Sequence, residues 1–125
     1  MDTFMTRAFA RWRAKEGLPL ELLCRAVSEK ERGLVDANLG GNVYKKRVGR
    51  SKGGKSGGYR TLIAIRFRER AVFVFGFAKN ERETIDRREE QALKAYAAHL
   101  LGLDASEVVR AVESGEWIRL RCDHA

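Results

Sequence analysis

Proline occurs once in the 125 residues (Pro19), cysteine twice (Cys24, Cys122) and histidine twice (His99, His124). No apolar run approaches the ~18 residues of a membrane-crossing helix. Each scarcity excludes something. Two cysteines far apart in the chain make neither a metal-ligand spacing nor a disulfide framework, which argues against a zinc module or a stapled secreted domain. The first stretch, MDTFMTRAFARWRAKEG, carries charge throughout and has no signal-peptide apolar region. The expectation is a soluble, cytoplasmic, metal-free protein. Its length suits a single domain over residues 1–125, large enough to bury a core without staples.

What the chain has in abundance is charge of one sign in one place. Hydrophobic residues make up 44% and charged residues 34%, with 25 Lys and Arg against 17 Asp and Glu, a net of +8. Between Tyr44 and Arg82 there are twelve basic residues and two acids, whereas the remainder is slightly acidic. All the excess positive charge lies in the middle third. A solvated basic face would also produce an excess, but its concentration in the most strand-like segment points to a polyanion, nucleic acid first.

Hydrophobic periodicity places the elements. Phe9 and Trp12 at i and i+3 predict a first helix stopped at Gly17, and Pro19 suits the start of a second. Leu22, Leu23, Ala26 and Val27 give that second helix an apolar face ending near Gly33. After a Gly40-Gly41-Asn42 break, Val43–Val48 predicts a strand. Gly49 to Gly58 holds five glycines and no apolar residue, a loop composition. Tyr59–Arg66 and Ala71–Ala78 are rich in β-branched and aromatic residues and predict an antiparallel hairpin, with Phe73, Phe75 and Phe77 on one face. Asn80 with Glu83 reads as a capping box before a helix through Leu103, whose buried stripe is Leu93, Ala97, Leu100 and Leu101. Asp104 with Glu107 opens another helix, and Trp117–Arg121 a final strand. The expected fold class is α+β, a small antiparallel sheet flanked by N- and C-terminal helices.

Gly49, Gly54, Lys55 and Ser56 satisfy the phosphate-binding pattern G-x-x-x-x-G-K-[ST]. That chemistry needs a helix to begin at the lysine, so that backbone N–H groups and the helix dipole hold the phosphates. Here Gly57-Gly58 and then a strand follow, and no later strand ends in an acid for magnesium. Nucleotide binding is therefore rejected.

The basic residues suit another chemistry. Alternation along a strand puts Lys45 and Arg47 on one face and Tyr44, Lys46 and Val48 on the other. If the three strands are neighbours, Lys45, Arg47, Arg60 and Arg82 gather on one concave surface, overhung by Lys52 and Lys55. RNA cleavage needs a base for the ribose 2′-OH, an acid for the leaving 5′-oxygen and a fixed cation for the charge on the phosphoryl oxygens. Neither His99 nor His124 lies near the basic segment. A lysine serves instead where neighbouring cations lower its pKa. From residue types alone, binding without catalysis fits equally well.

Three stretches carry a resemblance: Tyr44-Lys45-Lys46-Arg47, then Lys55-Ser56-Gly57-Gly58-Tyr59-Arg60, then Phe75-Gly76-Phe77-Ala78-Lys79-Asn80-Glu81-Arg82. In this order they resemble the RelE/HigB toxins of bacterial type II toxin–antitoxin systems, within the RelE/ParE superfamily. The resemblance covers roughly Gly40 to Leu103. It implies the microbial-RNase-like RelE fold, ribosome-dependent and metal-independent cleavage of mRNA, and a neutralising antitoxin, often of helix-turn-helix type. It implies no cofactor. Carried over by position, Lys45 and Arg47 match a basic strand pair, with Lys45 the general base and Lys55 or Lys52 its substitute. Arg60 matches the cation that stabilises the transition state. Arg82 or Lys79 stands in for a cation that is absent where the chain has Asn80, and Asp86 stands where relatives carry an aromatic hydroxyl. Lys46, Arg50, Lys52, Tyr59 and Lys79 are the expected RNA contacts, with Tyr59 stacking on a base. The alternatives are a ParE-like relative that inhibits a protein such as DNA gyrase, against which the retained cations argue, and a non-catalytic RNA-binding relative.

Overall fold

The computed structural model describes residues 1–34, 36–49, 58–82 and 84–122. Its elements follow from local chemistry. Strand β1 (Asp2–Thr6) runs into helix α1 (Arg7–Glu16), where the Thr6 hydroxyl accepts the Phe9 N–H (3.2 Å). Gly17 closes α1 in the left-handed region at φ +70°, which a residue with a Cβ rarely adopts. Helix α2 (Leu20–Glu31) follows Pro19. Strands β2 (Ala37–Gly40) and β3 (Val43–Val48) form a hairpin across Gly41-Asn42, both at positive φ, the geometry of a two-residue primed turn. Strands β4 (Tyr59–Arg66) and β5 (Arg70–Ala78) form the second hairpin. Helices α3 (Arg87–Leu101) and α4 (Ala105–Glu113) and strand β6 (Trp117–Leu120) complete the chain.

The sheet order is β2-β3-β4-β5-β1-β6. It is mixed where an antiparallel sheet was expected, because β1 lies between β5 and β6, parallel to the first and antiparallel to the second. The expectation missed β1 because its two partners lie 68 and 111–117 positions away along the chain, and a five-residue segment has no local signal for either. An interior position covered on both faces explains why Thr3 to Thr6 are all buried.

Helices cover the sheet on both sides. Helices α1 and α2 bury Phe9, Leu23 and Val27 against Met5, Ile63, Ile65 and Phe73. Helices α3 and α4 bury Ala97, Leu100, Val108 and Ala111 against Phe4, Leu62, Ala64 and Val72. Trp12 of α1 packs against Gly76, where a Cβ would stand 2.3 Å from its ring, so that glycine admits the helix.

Three further expectations are corrected. Phe73, Phe75 and Phe77 do not share a face: Ile63 pairs with Phe73 and Leu62 with Phe75, leaving Val74 as the extra residue of a bulge. Phe73 therefore packs under α1, while Phe75 and Phe77 turn toward α3. The cap of α3 is Asp86 with Glu89, the two making reciprocal bonds of 2.8 and 3.0 Å, not Asn80, which lies in a turn after β5. Glu83 lies outside the described residues. Finally, Cys24 and Cys122 are joined in a disulfide.

Candidate nucleic-acid interface

Alternation and register assemble the basic residues on the α3 side of the sheet. Val43 belongs to the core under α3 and α4, so Lys45 and Arg47, two and four positions on, share its face. On β4, Leu62 and Ala64 fix the facing of Arg60 in the same way. Antiparallel pairing then sets Arg47 opposite Arg60, and Arg60 opposite Phe77 on β5. The next row along is Lys45, Leu62 and Phe75. Neighbouring strands lie about 4.8 Å apart, so these rows bring three cations and two aromatic rings onto one patch. Helix α3 covers the other end of this face through Ala97, Leu100 and Leu101.

The cations differ in freedom. Arg60 is 8% exposed, and its Nη1 reaches the Tyr59 carbonyl at 3.5 Å. Lys45 is half-buried and Arg47 exposed. Neither makes an ion pair among the described residues. The Arg47 backbone N–H donates to the Asp36 carboxylate, which steadies the end of β3.

Arg82 enters the patch from the turn after β5. Its guanidinium lies 5.5 Å over the Phe77 ring, the residue opposite Arg60. Its Nε donates to the Thr84 carbonyl (3.0 Å), and its two terminal nitrogens grip both oxygens of Glu89 (Nη1 to Oε2, 3.1 Å). Glu89 is also the partner of the Asp86 backbone N–H in the α3 cap. The Arg82 hydrogen bond, followed by the Asp86 N–H, holds the Glu89 carboxyl below its ordinary range, and the same bond raises Arg82. Glu89 is thus a fixed anion that orients a cation, not a proton acceptor near neutrality.

Other expected residues stand elsewhere. Lys46 points to the α2 side and pairs with Glu29 at 2.8 Å. Tyr59 is on that side too, 8% exposed, with its ring edge-on to Trp12 at 5.6 Å and its hydroxyl near the Glu16 carbonyl (3.4 Å). Stacking of Tyr59 on a base gives way to packing on α1. Lys79 is exposed at the end of β5, its N–H bonded to the Gly58 carbonyl (3.1 Å). Arg50, Lys52 and Lys55 lie outside the described residues, as does His124. So does nearly all of the Gly49–Ser56 motif, while Tyr59 opens β4 three residues after Ser56. His99 is exposed on α3, in the groove facing α4.

Two members of the patch were not foreseen. Phe77 is core as read, 5% exposed, but the bulge puts it on the face opposite Phe73, beside Arg60. Glu89 had no role in the sequence reading, although the pattern Asp86-x-x-Glu89 is the signal that could have found it. Chemically, the patch can bind a phosphodiester through Arg47 and Arg60, and it places a lysine one row from the phosphate site. Residues 1–120 match the family model described as the RelE toxin of the RelE / RelB toxin-antitoxin system. No curated protein matches the chain.

Proposed function

The chain belongs to the RelE toxin family of toxin–antitoxin systems, and from that premise we propose that it is a ribosome-dependent, metal-independent mRNA endonuclease acting in the cytoplasm. The observation that supports this reading most directly is the pairing of Arg47 with Arg60 on the face that also carries Lys45.

In the proposed reaction Lys45 takes the proton of a ribose 2′-OH, whose oxygen attacks the adjacent phosphorus. The products are a 2′,3′-cyclic phosphate and a free 5′-hydroxyl. Arg60, held in place by its burial, stabilises the charge that develops on the phosphoryl oxygens. Arg47 and Lys79 seat the flanking phosphates, and Arg82, oriented by Glu89, adds a further cation beside Arg60. A second cation protonates the leaving 5′-oxygen, and Lys55 or Lys52, outside the described residues, is the substitute for Lys45 as base. The cognate partner is an antitoxin, which we take to be of helix-turn-helix type.

The test is primer extension on a defined message with the purified protein, with and without translating ribosomes, beside Arg60→Ala. Cuts confined to ribosome-bound message are expected. In the variant they should weaken by roughly 10²–10³-fold in turnover, the usual loss for a transition-state cation. A folded protein that cuts under neither condition would overturn the nuclease reading.

A further inference from the structure

The Cys24–Cys122 bridge joins α2 to the residue two places beyond β6, closing 98 residues with a Cα–Cα distance of 5.2 Å. It borders a cavity of about 640 Å³ that is lined by both cysteines, by Asp2 and Thr3 of β1, and by Leu120 and Arg121. Cys24 is 5% exposed, but Cys122 is half-buried, so the cavity gives a small molecule access to the Cys122 side. Arg25 and Arg121 adjoin the two cysteines in the chain and line the same cavity. Glu21 and Glu31 line it too, while Asp2 is engaged by Arg119 at 3.6 Å. Arginines in the lining of the cavity favour a departing thiolate over the thiol.

The fold does not depend on the bridge to hold its last strand. Strand β6 pairs with β1 from Thr3↔Leu120 to Thr6↔Trp117, and Trp117 and Leu120 are both buried. Loss of the bridge leaves those contacts in place. A bridge that is reachable, cation-flanked and structurally dispensable differs from one that is sealed into a core.

We propose that Cys24–Cys122 is a reversible thiol–disulfide site whose reagent is a low-molecular-weight thiol entering this cavity. A thiolate attacks Sγ of Cys122, forming a mixed disulfide as the Cys24 thiolate leaves. A second thiolate attacks the small molecule's sulfur in that mixed disulfide, releasing the Cys122 thiolate and the oxidised small disulfide. Two reagent thiols are oxidised and one protein disulfide is reduced, so electrons balance, and the two cysteine thiolates take up the protons the reagents gave. Oxidation by the small disulfide is the reverse. The bridge lies on the α2 side of the sheet, away from Lys45, Arg47 and Arg60, so the redox state sets the durability of the fold and not the chemistry on the α3 face. The inference is independent of the RNA-cleavage reading.

The experiment equilibrates the folded full-length protein with graded ratios of reduced to oxidised glutathione, quenches with acid, and counts thiols by a maleimide mass shift. Melting is followed in the same samples. A single two-electron transition within the glutathione range is expected, in a chain that keeps its folded circular dichroism throughout. The oxidised form should melt roughly 5–15 °C above the dithiol form. Cys122→Ser should melt like the dithiol form at every ratio. Two free thiols in the air-oxidised folded protein would overturn the proposal. So would a bridge that glutathione opens only after unfolding, or a dithiol form that is unfolded at 25 °C.

Discussion

At the scale of single residues, facing separates side chains that composition treats alike. Lys45, Lys46 and Arg47 are consecutive cations, yet Lys46 spends its charge on Glu29 under α2 while its two neighbours face the open patch. That separation was legible, because side chains alternate strictly along a strand. What Lys46 meets on its own face was not, since Glu29 is seventeen positions earlier in a helix. Arg47 is exposed and faces Arg60, which makes it the cleanest probe of phosphate contact. For Arg47→Ala, RNA affinity should weaken about equally for all sequences. The slope of log affinity against log salt should shrink by about 0.7, one phosphate contact on a single strand, as read by fluorescence anisotropy across a salt series. An unchanged slope would remove Arg47 from the interface.

At the scale of elements, the strands with strong composition were readable almost to the residue. β3 and β4 have the bounds their β-branched runs predict, and α4 starts at its own Asp104–Glu107 box. The start of α3 was misplaced because two acceptor-x-x-Glu patterns, at Asn80 and at Asp86, compete within seven residues. The turn after β5 decides between them, with the Ala78 carbonyl accepting from both the Glu81 and Arg82 N–H groups. That turn consumes the region of Asn80 and passes the cap to Asp86. Asp86→Ala should therefore cost about 1 kcal/mol of stability, the usual loss of an N-cap. Asn80→Ala should stay within about 0.5 kcal/mol, as exposed substitutions do. Chemical denaturation of the two variants separates these outcomes, and a reversed order would return the cap to Asn80.

At the scale of the whole molecule, several carboxylates couple folding to pH. Glu29 is held below its ordinary range chiefly by the Lys46 hydrogen bond, Glu89 by Arg82, and Asp104 by the Glu107 backbone N–H. Unfolded, such groups take up a proton near pH 4, whereas folded they take it up only at lower pH. Their stabilisation is complete above the unfolded value and is lost as pH falls through the folded values. The melting temperature should accordingly hold steady near neutrality and drop once the pH passes below about 4.5. Glu29→Gln should make that drop shallower and cost less than about 1 kcal/mol at pH 7, because the pair is partly open to solvent. A melting temperature that rises on acidification would contradict the assignment of these pairs.

The sequence by itself determined what depends on near neighbours: four of the six strands, the helix faces, the concentration of positive charge, and the common facing of Lys45 with Arg47. These are properties of periods of 2 and 3.6 residues, which a short window contains. Tertiary structure alone decided what depends on distant partners. It inserted β1 between β5 and β6, shifted the β5 aromatics across the sheet through a bulge set by the register with β4, brought Glu89 onto Arg82, and closed the disulfide from one end of the chain to the other. Each of these needs two segments to meet at one register, and no local pattern encodes where a segment's remote partner will lie.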